Sequence, residues 1–218
     1  MSRPKVNKNQ ILNFPNVEFV QQWATPGSYS ITIPVGINRV WLAACGAGGG
    51  GGNYDQSGPG GGGGAGCQRG WVNVDPIYRN WNLVVGQGGA AGGSLGSPGA
   101  SGTSTIITTP GGTGDFLYFE GGQGSIDLYQ GGRGGTVSFQ WLPGANIIAV
   151  PGGWGGPGVQ TDGRFTGDGG SCVLGTNGRS GQSGNIGGGG AGRDAWGHGA
   201  RVGNGGNGFI MIEYGIIV

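Results

Sequence analysis

RVWLAACGAGGGGG, residues 39–52, is the stretch on which the reading of the whole chain turns. Residues 39–45 are apolar, branched or aromatic enough for a β-strand, and they run without a turn into a block of glycine. Glycine loses more backbone entropy on folding than any other residue, so such a block ordinarily stays disordered. A folded chain keeps it only where the missing Cβ is needed, to bring backbones together or to reach φ angles closed to other residues. The same question recurs at residues 60–64 and 187–190, because 60 of the 218 residues are glycine. Seven Trp, seven Phe and six Tyr lie between the runs, an aromatic load that flexible low-complexity linkers lack. The sequence therefore predicts an ordered domain packed through glycine.

Outward from residues 39–52 the pattern is of short strands. Residues 27–34 alternate Tyr29, Ile31 and Ile33 against Ser and Thr, as a half-buried strand does, and residues 35–38 turn the chain into the strand at 39–45. Residues 71–75 and 81–85 read as strands around Pro76. Further strands are expected at 104–108, 116–120, 136–141, 147–150 and, most clearly, 209–214. No stretch of helical periodicity runs free of Gly and Pro, so the fold class expected is all-β. Residues 1–22 stand apart: they lack glycine and hold both lysines, and they are read as an N-terminal arm before a domain at 23–218.

The inserts between strands need their own physics. A glycine-rich segment in the polyproline-II conformation has three residues per turn and no internal hydrogen bonds, so its N–H and C=O groups must be paired elsewhere. Several such segments side by side can bond to one another, with Gly at the contacts. Residues 46–66, 151–170 and 184–208 each suit one or two of them. Ordinary turns and Ω-loops are the competing reading. Collagen is excluded, because only 11 residues are Pro and the glycine spacing breaks at residues 104–107.

Charge and composition exclude several function classes. Hydrophobic residues make up 35% of the chain, so a side-chain core is thin and backbone packing must add cohesion. A net charge of +1 leaves no basic field for nucleic acid. Residues 1–10 are polar and no apolar segment of signal-peptide type follows, so no secretory leader is expected. Three cysteines, Cys45, Cys67 and Cys172, form no CxxC pair and are read as reduced, small buried side chains, with a Cys45–Cys67 bridge as the alternative.

Motifs for chemistry are thin. A phosphate loop needs a lysine, and none follows Lys8. GGSLG, residues 92–96, fits a nucleophile elbow around Ser94, but the SPG that follows forbids the helix that motif requires. His198, the single histidine, sits in WGHG (196–199) and is read as a loop tip. Asp162 and Asp168 lie in TDGRFTGDGG (161–170) as turn residues and supply too few oxygens for a calcium cage. No enzyme, metal or cofactor is expected.

Four pieces carry a resemblance. WATPGSYSITIPVG (23–36) has the form of an opening hairpin, VWLAACGAGGGGG (40–52) is a strand ending in a glycine run, LVVGQGGAAGG (83–93) is a return strand, and GFIMIEY (208–214) is a closing strand. Taken in order they resemble the phage glycine-rich domain found in tail-fibre proteins or as a free-standing virion protein. The resemblance implies a jelly-roll-like β-sandwich with polyglycine-II helical inserts. It also implies a virion protein made in the host cytoplasm: a tail-fibre tip or spike adhesin, or else a structural subunit such as a head fibre, decoration or connector protein. Aromatic and Arg side chains on the inserts (Trp154, Arg164, Phe165, Arg193, Trp196 and His198) are the candidates for contact with a host glycan or outer-membrane protein. Arg3, Lys5, Lys8, Ile11, Leu12 and Phe14 of the arm are the candidates for attachment to other virion proteins. A homotrimer is the assembly expected by analogy.

Overall fold

The computed structural model describes residues 19–54, 58–109, 116–127, 129–140, 146–158, 167–179, 181–193 and 201–214. Among them the regular elements are all strands: β1 (Phe19–Trp23), β2 (Gly27–Thr32), β3 (Arg39–Cys45), β4 (Gly66–Asn73), β5 (Asn80–Val85), β6 (Thr105–Thr108), β7 (Phe116–Phe119), β8 (Val137–Gln140), β9 (Asn146–Ile147) and β10 (Phe209–Tyr214). They form two five-stranded antiparallel sheets, ordered β1-β10-β3-β4-β9 and β2-β5-β6-β7-β8. The chain is all-β and the sheets make a β-sandwich.

Alternation sets the core. In β5, Trp81, Leu83 and Val85 are buried while Asn80, Asn82 and Val84 face out. Val40, Leu42 and Ala44 of β3 and Ile210 and Ile212 of β10 meet Leu83, Ile107, Leu117 and Phe119 from the other sheet in one apolar cluster. A one-residue slip of any of these strands would turn its apolar set outward, so burial fixes the register. The strand bounds at Arg39–Cys45 and Phe209–Tyr214 are those read from the sequence. One boundary moves. Phe19 pairs with Tyr214 and Trp23 with Ile210, so residues 19–22, assigned to the arm, belong to an edge strand of the first sheet.

Among the described residues, the glycine-rich chain leaves the sandwich at one end. Cys45 pairs with Gly66 and with Phe209, and Thr105 pairs with Phe119, which pairs with Val137. From these strand ends, segments at 46–65, 86–104, 120–136, 150–158, 167–193 and 201–208 run outward side by side. Their bonding follows a strict period. Gly46, Gly49 and Gly52 donate to the carbonyls of Ala65, Gly62 and Pro59 at 2.8 Å; Ala47, Gly50 and Asn53 donate to Thr103, Ala100 and Ser97; Gly48 and Gly51 donate to Gly206 and Gly203. Three successive residues thus serve three neighbours, and the fourth returns to the first. The second run behaves alike: Gly58, Gly61 and Gly64 donate to Arg193, Gly190 and Gly187, while Gly60, Gly63 and Gly66 donate to Gly156, Gly153 and Val150.

This period explains why some segments are pure glycine and others are not. Residues 48–52 and 60–64 have neighbours on every side, so a Cβ at Gly61 would strike the carbonyl of Gly49, and one at Gly62 that of Arg133. Outer segments have neighbours on part of their circumference, and there glycine recurs every third residue. Gly86, Gly89 and Gly92 face the carbonyls of Thr103, Ala100 and Ser97, and side chains stand between at Gln87, Ala90 and Ala91, while a Cβ at Gly88 would strike the Gly205 carbonyl. Residues 86–104 and 120–136 were not expected among the inserts, because their glycines are diluted by Gln, Ala, Ser and Thr.

Gly61→Ala is expected to cost more than about 3 kcal/mol or to abolish folding, because the two central runs must separate and leave buried backbone groups unpaired. Gly93→Ala, with nothing within 4 Å of its added Cβ, should be neutral or stabilising by up to about 1 kcal/mol. Denaturant melts of the two variants check the contrast.

Candidate functional site

The bundle has a far end, opposite the sandwich. Gly52 donates to Pro59, Gly58 to Arg193, Arg193 to Gly52, and Gly167 to Gly58, so these four segments finish at one level. Asn53 and Tyr54 continue the first central run beyond that level. Gly96 donates to the Asn53 carbonyl at 2.7 Å and Asn53 to Ser97 at 2.9 Å, which anchors the 94–97 turn alongside. Asp127 accepts the N–H groups of Tyr129 and Gln130 at 2.8 and 2.9 Å, a local turn that presents the exposed Tyr129 ring. Burial, and then the nearby Asp127 carboxylate, push the Tyr54 phenol above its ordinary range.

Among the described residues, Arg193 is the predicted contact residue found at this end. Its backbone is fixed by bonds to Gly52 and Gly58, and its guanidinium Nε is buried with no hydrogen-bond partner among the described residues. Asn53 Oδ1 is in the same condition. Arg164, Phe165, Trp196 and His198 lie outside the described residues, as do Arg3, Lys5, Lys8, Ile11, Leu12 and Phe14 of the arm. Trp154 is not at the tip. It stands on the flank of the bundle, between Gly153, which accepts from Gly63, and Gly155, which donates to Gly132. There its ring is 64% exposed, with the Arg133 guanidinium 5.6 Å from the ring centroid. That contact is a cation–π pair open to solvent.

Other motifs resolve into local structure. The Ser94 hydroxyl lies 2.6 Å from that of Ser97 inside the turn. Asp168 has Arg179 at 4.0 Å, an exposed pair of small energetic weight.

One surface was missed by sequence reasoning. On the outer face of the first sheet, Trp41 of β3 and Trp71 of β4 are cross-strand partners stacked at 4.0 Å, and the Arg39 guanidinium lies 4.5 Å over the Trp71 ring. Along the same face an apolar groove is lined by Ala43, Phe209, Met211, Ile148 and Val173. The signal was present: residues 40–45 are apolar at both parities, which a strand with one wet face has no need to be.

Trp154→Ala and Arg133→Ala should each shift stability by less than about 1 kcal/mol, since both groups are solvated and their pair is open. Trp41→Ala should cost more, about 1–3 kcal/mol, through loss of the stack and its area. Thermal melts of the three proteins separate a flank residue free for binding from one that holds the sheet.

No match to a curated protein was found. The model of a glycine-rich domain family matches residues 24–215. That match runs from β2 to β10 and takes in every insert of the bundle, which makes the chain a member of the glycine-rich domain family.

Proposed function

We propose that this protein is a bacteriophage virion component, a tail-fibre tip or spike adhesin that meets the host surface with the far end of its glycine bundle. The observation that carries the reading is the polarity of the molecule. β1 starts at Phe19 opposite Tyr214, at the sheet end remote from the bundle, whereas Asn53, Tyr54, Tyr129 and Arg193 gather at the bundle's far end. The N-terminal chain thus enters at one pole, suited to attachment, and the aromatic and Arg groups stand at the other. Arg and aromatic side chains on a stiff support suit recognition of glycans and planar groups, because little ordering is left for binding to impose.

The period of three in the hydrogen bonds supports polyglycine-II helices as the conformation of the inserts, since that left-handed form has three residues per turn and outward-pointing backbone groups. A second reading, a structural virion subunit, is favoured by the outer face of the first sheet. Trp41, Trp71, Met211 and Ile148 are what a neighbouring subunit in a homotrimer would cover.

Epitope labelling on purified particles separates the two. Antibody against residues 1–18 and against the 193–201 region should label the base and the free end of a fibre or spike, in that order. Label confined to the head or collar, or seen only in broken particles, rejects the adhesin.

A further inference from the structure

Three cysteines are buried as free thiols, and two of them pack against one glycine, Gly187. Cys67 faces the core, its thiol 3.8 Å from the Leu42 carbonyl, and burial pushes it up to about 11. Cys45 ends β3, in register with Phe209 of β10 and Gly66 of β4. Cys172 opens a tight turn of the last insert, closed by a bridge to Gly175. A Cβ at Gly187 would lie 2.8 Å from each of the two sulfurs, so both pack against the same Cα, at a residue whose φ of +67° also favours glycine. The Cys45 thiol and then the backbone N–H groups of Leu174, Gly175 and Val173 hold Cys172 below the ordinary thiol range against its burial, while the same thiol contact, with burial, raises Cys45. One sulfur inclined to the thiolate beside a second thiol is the arrangement that thiol–disulfide exchange uses.

We infer that Cys45 and Cys172 are an oxidisable pair that closes into a disulfide, tying the last glycine insert to the first sheet. The oxidant is a low-molecular-weight disulfide such as oxidised glutathione. The Cys172 thiolate attacks one of its sulfurs and expels a glutathione thiolate. Cys45 then gives its proton to that thiolate and attacks Cys172 Sγ, expelling the second glutathione, which takes up the proton Cys172 had released. Two protein thiols and one small disulfide become one protein disulfide and two small thiols. Both sulfurs are buried, so exchange proceeds through opening of the 172–175 turn. The bridge spans a loop of over a hundred residues, which constrains the unfolded chain strongly. The chain is open under the thiol buffering of a cytoplasm and latched outside it.

The test uses the full-length protein, incubated with oxidised glutathione, alkylated and mapped by mass spectrometry. The expected result is a Cys45–Cys172 linkage with Cys67 alkylated, and a melting temperature raised by on the order of 5–10 °C. Dithiothreitol should reverse both changes. Cys67→Ala should keep the linkage and Cys172→Ala should lose it; should Cys172→Ala fail to fold, mapping of the unmutated chain and of Cys67→Ala decides. Alkylation of all three cysteines after oxidation, a Cys45–Cys67 linkage, or glutathione retained on Cys172 would each overturn the pair.

Discussion

Every other feature of this protein depends on one contact, a backbone N–H···O=C bond between extended segments lying closer than any side chain allows. Such bonds replace the ladder of a sheet and the internal bonds of an α-helix over roughly half of the chain. A segment that bonds only outward needs neighbours around it before its donors and acceptors are satisfied, so the bundle stands or falls as a unit. The entropy cost of ordering so much glycine is large, and it is offset by saturated backbone bonding and not by apolar area. The two central runs are where this trade is sharpest, since they have no solvent face on which to place a side chain.

The sandwich plays the complementary part. Its thin core of Ile, Leu, Val, Trp and Phe is an ordinary hydrophobic one, and its antiparallel pairing brings the ends of both sheets to one level. From those ends the inserts start in fixed register, each roughly a strand's width from the next. A bundle without that base would have nothing to set the relative height of its segments, because glycine runs carry no side-chain pattern that distinguishes one register from the next. Asn207 and Asn204 help at the margins: their side-chain oxygens accept from Gly88 and Ala91, three residues apart on a neighbouring segment.

Much of the strand framework was legible because alternation is a local signal. β3 and β10 were found to the residue, since Arg39 and Phe209 each open an uninterrupted apolar run. β1 was not separated from the arm, because Phe19-to-Gln22 has little alternation of its own and becomes a strand by pairing with β10. Residues 86–104 and 120–136 went unread as bundle segments for a related reason. Their glycines are spaced by three, and a spacing of three means nothing until the neighbours on one side are known. The candidate site was read less well. Arg193 was expected at a tip and stands there, whereas Trp154 was expected at a tip and stands on the flank beside Arg133.

The sequence by itself determined that this chain is all-β, that its strands alternate around a thin apolar core, and that its glycine runs must lie where no Cβ fits. Those are properties of single segments, set by local sterics and by the burial of one face. Only the tertiary structure decided which runs are central, that the inserts leave one end of the sandwich together, and that Cys45 and Cys172 pack against the same glycine, Gly187. Each of those depends on which segment lies beside which. A glycine, having no side chain, records that it has a close neighbour but not which one.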